Sequence, residues 1–446
     1  MGPNLKEIVK AIAAREVSPV EVAQTYLERI ERLNPALNAV VTVAPDVIER
    51  ARAAETVVMR GDAVGALHGV PVTIKDTIET AGMRSTSGSV VRVDYVPAVD
   101  APAVARLKAA GAIILGKTNA AEMAMDYTAD NPVFGRTNHP LDPKLTPGGS
   151  SGGEAVAIAM GMAPGGIGSD LAGSVRIPAH FCGIAGLKPT TGRVPGEGQF
   201  PPSTGPYGLG AVIGPMARTV GDLRLLFRVL AGEITSNIDL KKIRVAWYSH
   251  DGVTPVTNET VTTVQAAARA LADAGLVTEE QRPPHVERGN ELWLKLFSRA
   301  SVVQLRRVYA GRESEGGSFV RWRLSSADQT PPPTLDQYIA SWIERDRLRE
   351  ELLRWMETTP IIVAPVGSTP AYEHDTLKVT VRGETFGTFR AFSYAQTFNV
   401  FDLPVVTVPA GRSADGLPIG VQIAGPPQSE ELLLAVAEIV EQALSS

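Results

Sequence analysis

The chain has 446 residues, 44% hydrophobic and 20% charged, with a formal net charge of −5. That is ample material for a core, in two domains or one large α/β domain, and one is expected here; the acidic balance offers nothing to nucleic acid. No apolar run reaches about 18 residues, the opening MGPNLKEIVKAIAAREVSP lacks the apolar core of a secretory signal, and the single Cys182 excludes an intrachain disulfide or a cysteine-based zinc site, so no membrane is implied and a cytoplasmic protein is expected.

In chain order, Ser18-Pro19-Val20-Glu21 is a capping box with proline at the first helical position, predicting an amphipathic helix to about Leu33, ahead of Pro35. AVVTVAP (39–45) leads to a helix from Asp46 to Arg60. In LHGVPVTIKDTI (67–78), Val70, Val72 and Ile74 alternate as in a strand, which places Lys75 at its end. Residues 101–127 read as helix (APAVARLKAAG), strand (AIILG) and helix (NAAEMAMDY), and strand, turn and helix recur near 148–160 and after Ser174. That alternation predicts a sheet with helices on its faces. IRVAWYS and VTNETVTTVQAAARALADAG repeat the pattern over about 240–275. Between 280 and 390 lie Trp293, Phe297, Tyr309, Phe319, Trp322, Tyr338, Trp342, Trp355 and Tyr372, interrupted by EGGS and TPPPT. This stretch reads as an insertion that lids a site, with most of its rings packing a small core of their own. VVTVPAG and LPIGVQIAG predict two strands, and SEELLLAVAEIVEQAL a closing amphipathic helix.

The chemistry concentrates in GGSSGGEAVAIAMGMAPGGIGSDLAGSVRIPAHFCGIAGLKPTTGR (148–193), where Ser150 and Ser174 sit in glycine-rich turns on either side of a small-residue helix. A hydroxyl held among bare amides suggests acyl transfer. Cys182, in AHFCGIAG, reads as packing. The histidines His68, His139, His180, His250, His285 and His374 are scattered singly, which supports neither a metal site nor a histidine relay.

Three motifs compete. GAIILGKT (111–118) fits the phosphate-loop pattern letter for letter, but the positions between its glycines are Ala-Ile-Ile-Leu, a strand in themselves, which speaks against nucleotide binding. G-x-S-x-G occurs in two overlapping frames, centred on Ser150 and Ser151, and would suit the nucleophile elbow of an α/β-hydrolase-type esterase if a downstream histidine served it. The third reading combines Lys75 in GVPVTIKD, Ser150 in PGGSSGG and Ser174 in GSDLAGSVRIP. Serine is a weak nucleophile until a neighbour takes its proton, and a lysine can do so only when neutral, which burial favours. The residues alone leave two readings of Lys75 open, a buried neutral amine or a surface lysine paired with Asp76.

These blocks, spaced 75 and 24 residues apart, together with LHGVPVTIKD, GAIILGKTN, CGIAGLKPTTGRV, GPMARTVGD and GLPIGVQI, resemble the amidase signature family of serine hydrolases over most of 5–235 and 390–445. The resemblance implies one α/β domain with a central mixed sheet covered by helices on both faces, a core at 60–235 carrying the motifs, and a variable lid at about 280–390. It implies Ser174 as nucleophile, Ser150 as proton relay after a cis peptide from Gly149, and Lys75 as ultimate base. The backbone amides of Leu171, Ala172, Gly173 and Ser174 would form the oxyanion hole, with Ala172 standing where many relatives carry glycine. Asp170 and Arg176 are read as a buried pair fixing that turn, and Ser151 and Ser169 as groups holding Lys75. Substrate choice is expected in the lid, in Met125, Asp126 and Tyr127, and in EGQFPPSTGPYG (197–208). The function implied is hydrolysis of a small-molecule amide, aryl amide, carbamate (urethane) or ester without cofactor or metal, by a monomer or homodimer. Acyl transfer, as by the glutamine-dependent glutamyl-tRNA amidotransferases, is the alternative within the family, and a binding role with a vestigial triad lies outside it.

Overall fold

The capping signal at Ser18 works as its chemistry requires: Ser18 Oγ accepts from Val20 N and Glu21 N at 3.1 Å, and Glu21 Oε2 accepts from Ser18 N at 2.9 Å. The helix then runs Pro19–Leu37, past the expected stop at Leu33. Pro35 is exposed, so the carbonyl it leaves unpaired, that of exposed Glu31, can be served by water. The end is instead set by Asn38 in the left-handed region and by Asn34, whose Oδ1 accepts from Ala39 N and Val40 N at 2.8 Å.

The computed structural model describes residues 2–232, 240, 243–329 and 331–444; positions 233–235 of the expected 60–235 core and Thr330 of TPPPT lie outside them. The strands in chain order are β1 (Val40–Val43), β2 (Pro71–Lys75), β3 (Ile113–Thr118), β4 (Gly165–Asp170), β5 (Ala185–Lys188), β6 (Val212–Ala217), β7 (Arg244–Trp247), β8 (Val277–Glu280), β9 (Ile361–Pro365), β10 (Lys378–Val381), β11 (Glu384–Gly387), β12 (Val405–Arg412) and β13 (Pro418–Ala424). Among the described residues, eleven form one sheet in the order β1-β3-β2-β4-β6-β5-β12-β13-β9-β7-β8, with β10 and β11 a separate hairpin. The sheet is mixed. β2 is parallel to both β3 and β4, and β7 to both β8 and β9, whereas β4–β6, β5–β12 and β12–β13 are antiparallel. The expected α/β domain with a central mixed sheet is what the chain forms. All five residues of β2 are buried, so its alternation marks a strand covered on both faces. Each wholly enclosed aliphatic side chain such as Val72 or Ile74 contributes about 1.5–3 kcal/mol.

Three sequence expectations change. Residues 111–118 hold no phosphate loop: 113–118 are β3, Gly116 lets β1 approach so closely that a Cβ there would lie 2.4 Å from Thr42 O, and fully buried Lys117 donates to Ile78 O, Thr80 Oγ1 and Ser85 Oγ. The expected helix over 119–127 is absent; the chain makes a 3-10 turn at Glu122–Ala124 with Met123 and Ala124 at positive φ. Glu122 is buried there and accepts from Tyr309 OH at 2.5 Å and Gly317 N at 2.8 Å, long-range bonds that override local helix propensity. Finally, 280–390 is not wholly an insertion, because β9 lies inside the main sheet beside β13 and β7. Its helices do carry a small cluster of their own, Met123, Val302, Leu305, Tyr309, Val320 and Leu324. No helix among the described residues is long and apolar enough to cross a membrane.

Candidate active site

The end of β2 delivers Lys75 into the interior, fully buried, with Nζ 2.6 Å from Ser150 Oγ and 2.9 Å from Ser169 Oγ. A surface pairing with Asp76 is thereby excluded; Asp76 Oδ2 accepts instead from Thr86 N at 3.1 Å and Thr86 Oγ1 at 2.5 Å. Burial pushes the Lys75 amine down to about 7, against the opposing pull of the Asp170 and Glu154 carboxylates. Glu154 comes from the helix Gly152–Ala159, where its oxygens accept from Thr73 Oγ1 at 2.5 Å and Thr118 Oγ1 at 2.7 Å, and burial raises its carboxyl to about 7. Sequence reasoning missed this residue. Its signal was a lone acid in the otherwise small and apolar GGEAVAIA.

Ser150 follows a cis peptide from Gly149, whose missing side chain allows close approach: a Cβ would sit 2.6 Å from Thr128 N and O. Ser169 reaches Lys75, but Ser151 does not. Ser151 Oγ lies 3.4 Å from Ser169 O and N, one step removed from the amine, because Ser151 faces Gly168 on β4. The hydroxyls of Ser150 and Ser174 make no hydrogen bond to each other, yet both line one recess. No histidine serves a G-x-S-x-G elbow: His180, for instance, accepts from Gly420 N at 2.7 Å and lies 3.1 Å from Thr369 O.

The turn before Ser174 is built on a buried ion pair. Asp170 Oδ1 accepts from Gly173 N and Arg176 Nη2 at 2.9 Å, and Oδ2 from Arg176 Nε at 3.0 Å and Val175 N at 3.1 Å. Burial alone would raise this carboxyl, but the Arg176 charge and its bonds outweigh it and hold it well below the usual range. Arg176 is itself completed by Asn399 Oδ1 at 2.6 Å and Gln422 Oε1 at 2.9 Å. These partners lie 223 and 246 residues away, beyond any local signal.

The turn's peptide planes are pinned from their carbonyl ends. Trp293 Nε1 donates to Leu171 O at 2.9 Å, Tyr127 OH to Ala172 O at 2.9 Å, and Ile177 N to Gly173 O at 2.7 Å. Because a peptide is planar and trans, each fixed carbonyl aims the following N–H the opposite way. That sends Gly173 N into Asp170, so of the four amides expected to meet an oxyanion this one is already engaged. The amides of Leu171, Ala172 and Ser174 donate to no described protein group. Ala172 is not among the residues at positive φ, so its methyl is accommodated where glycine was expected; Gly173, at φ +105, is where the turn needs glycine.

Ser174 opens into a cavity of about 770 Å³ that brings together Met125, Asp126 and Tyr127, Tyr207 of the 197–208 segment, and Trp293, Phe297, Phe319 and Trp322 of the 280–390 region. Phe389 stacks on Tyr127 at 4.6 Å between ring centres and on Phe319 at 6.1 Å. Asp126 accepts from Tyr127 N at 2.7 Å and Thr128 Oγ1 at 3.0 Å, and desolvation raises its carboxyl to about 6. Cys182 is buried, its Sγ 3.6 Å from Pro147 O, with burial raising the thiol.

The family model described as Amidase matches residues 21–434. The chain is 33% identical to fatty-acid amide hydrolase 2-A of Danio rerio, over 98% of this chain and 88% of that protein. It is also 33% identical to the first of the glutamyl-tRNA(Gln) amidotransferase chains, GatA-type, of Carboxydothermus hydrogenoformans, over 98% of this chain and 96% of that one. Among solved structures, a bacterial aryl acylamidase belonging to the amidase signature enzymes superposes with a TM-score of 0.87 at 26% identity, covering 99% of this chain and 96% of the other. With its mixed eleven-stranded sheet and a family match over nearly its whole length, the chain belongs to the Amidase family of amidase signature enzymes.

Proposed function

We propose that this amidase hydrolyses a neutral small-molecule amide bearing a bulky hydrophobic or aryl group, through an acyl-enzyme on Ser174. The observation that carries the reading is the Lys75 amine, wholly buried and within 2.6 Å of Ser150 Oγ. Held near neutrality, it can accept a proton where an exposed lysine cannot. Ser174 Oγ attacks the carbonyl carbon while its proton passes to Ser150 Oγ and the Ser150 proton to Lys75 Nζ. The Ser150–Ser174 contact closes as substrate binds, since catalytic hydrogen bonds commonly tighten only in the complex. The oxyanion meets the amides of Leu171, Ala172 and Ser174, each such donor contributing about 2.7–4 kcal/mol. Collapse breaks the C–N bond as Ser150 hands a proton to the leaving amine and is replenished from Lys75. Water then repeats the relay and releases the acid.

Carbamates and esters present the same carbonyl to the same donors, so urethane and ester cleavage fall within the proposal. The aromatic cavity and the likeness to an aryl acylamidase favour anilides as first substrates. The reading invokes no cofactor or metal, and it takes the enzyme to be cytoplasmic and a monomer or homodimer. Acyl transfer to an amine is a second reading, favoured by the equal identity to an amidotransferase chain. Assay of wild type and Lys75→Ala against anilides, aliphatic amides, carbamates, esters and glutamine tests both. Hydrolysis of anilides that is lost in Lys75→Ala is expected; turnover of glutamine alone would favour transfer, and activity untouched by the substitution would remove the relay.

A further inference from the structure

Most of the cavity wall is apolar or aromatic, and one guanidinium interrupts it. Arg323, on the helix Ser318–Asp328, lines the same space as Ser174, between Ser298 and the rings of Phe319 and Trp322. Its Nη2 donates to both the carbonyl oxygen and the hydroxyl of Ser298, which fixes the plane of the group. Its Nε and Nη1 donate to no described residue, and no described carboxylate forms an ion pair with it. The charge that most affects it is a second cation, Arg299, which is likewise in no ion pair among the described residues. Two like charges at a partly desolvated wall without a counterion repel each other, and an anion between them relieves both the repulsion and the lost solvation. Asp126, the acid that lines the same cavity, is placed differently: both of its oxygens already accept from its own turn, so it has less to offer an amine.

We infer that Arg323 is a specificity-determining residue that receives a carboxylate carried by the part of the amide substrate filling the aromatic cavity. The fork of a guanidinium with free Nε and Nη1 suits a two-oxygen acceptor, and the surrounding rings suit an aryl or alkyl body between that acid and the scissile bond. This rests on the amidase reading above and narrows its substrate class to amides with an acidic tail.

The test is steady-state kinetics with matched pairs: butyranilide against 4-anilino-4-oxobutanoate, acid on the acyl side, and acetanilide against 4-acetamidobenzoate, acid on the amine side, with 4-(aminomethyl)acetanilide as the cationic control. The expected result is a lower KM for the acidic member of one pair. Arg323→Gln should reduce the acid-over-neutral ratio of kcat/KM on the order of tenfold to a hundredfold, and Arg323→Lys should restore part of it. Preference for the neutral or cationic members, or an equal effect of Arg323→Gln on acid and neutral, would overturn the inference while leaving the amidase reading intact. A second readout needs no turnover: 4-phenylbutyrate should protect Ser174 from a fluorophosphonate better than 4-phenylbutanol, and Arg323→Gln should abolish the difference. Equal protection by acid and alcohol would count against the inference.

Discussion

The kcat/KM for a neutral anilide is expected to rise with pH and level off with an apparent pKa near 7, the value to which burial pushes the Lys75 amine. The sign follows from the proton's direction: Lys75 must be neutral to receive it, so activity is lost as pH falls through that pKa and is complete above it. With a pKa of about 7 the neutral fraction is about 9% at pH 6, about 50% at pH 7 and about 91% at pH 8, a tenfold rise over two units. An ordinary lysine near 10.4 would instead leave the rate climbing about tenfold per unit beyond pH 9. The assay is initial rates at substrate well below KM from pH 5.5 to 9.5, which reports the free enzyme. Lys75→Ala should lower kcat/KM by about a hundredfold to ten-thousandfold, the usual contribution of a positioned base, and erase the limb. A profile still rising at pH 9, or a limb that survives in Lys75→Ala, would refute the reasoning.

Glu154 titrates in the same window, and its charge raises the Lys75 pKa; Glu154→Gln should therefore move the limb to lower pH without removing it, as the same pH series would show. Replacing Arg176 with methionine leaves Asp170 buried without its counterion and should cost about 3–5 kcal/mol, read from the denaturant midpoint. Ser169→Ala removes a hydroxyl 2.9 Å from Lys75 Nζ and should lower kcat/KM about tenfold, a larger loss than Ser151→Ala, whose hydroxyl touches only the Ser169 backbone.

What could be read from the chain and what could not divide along physical lines. Lys75, Ser150 and Ser174 stand in local turns and strand ends whose residue types betray them, and the apolar run before Lys75 already hinted at burial. The Asp170–Arg176 pair was legible because both partners flank one turn, whereas Asn399 and Gln422, which complete it, arrive from distant elements. The same long-range dependence defeated the helix expected at 119–127, where Glu122 answers to Tyr309 and Gly317. Gly173 N looked as available as its neighbours until the Asp170 carboxylate was seen to take it. The inclusion of β9 in the main sheet hid behind the aromatic character of its surroundings, since a five-residue buried strand shows no alternation to mark it.

The claim on which the rest stands is that Ser174 is the attacking oxygen and Ser150 its relay. Treatment with a fluorophosphonate followed by peptide mapping of the adduct tests it most directly. Phosphonylation of Ser174 in the wild type, and its near absence in Lys75→Ala, is the predicted result; an adduct on Ser150 or Ser151, or a Ser174 adduct formed equally fast without Lys75, would contradict it.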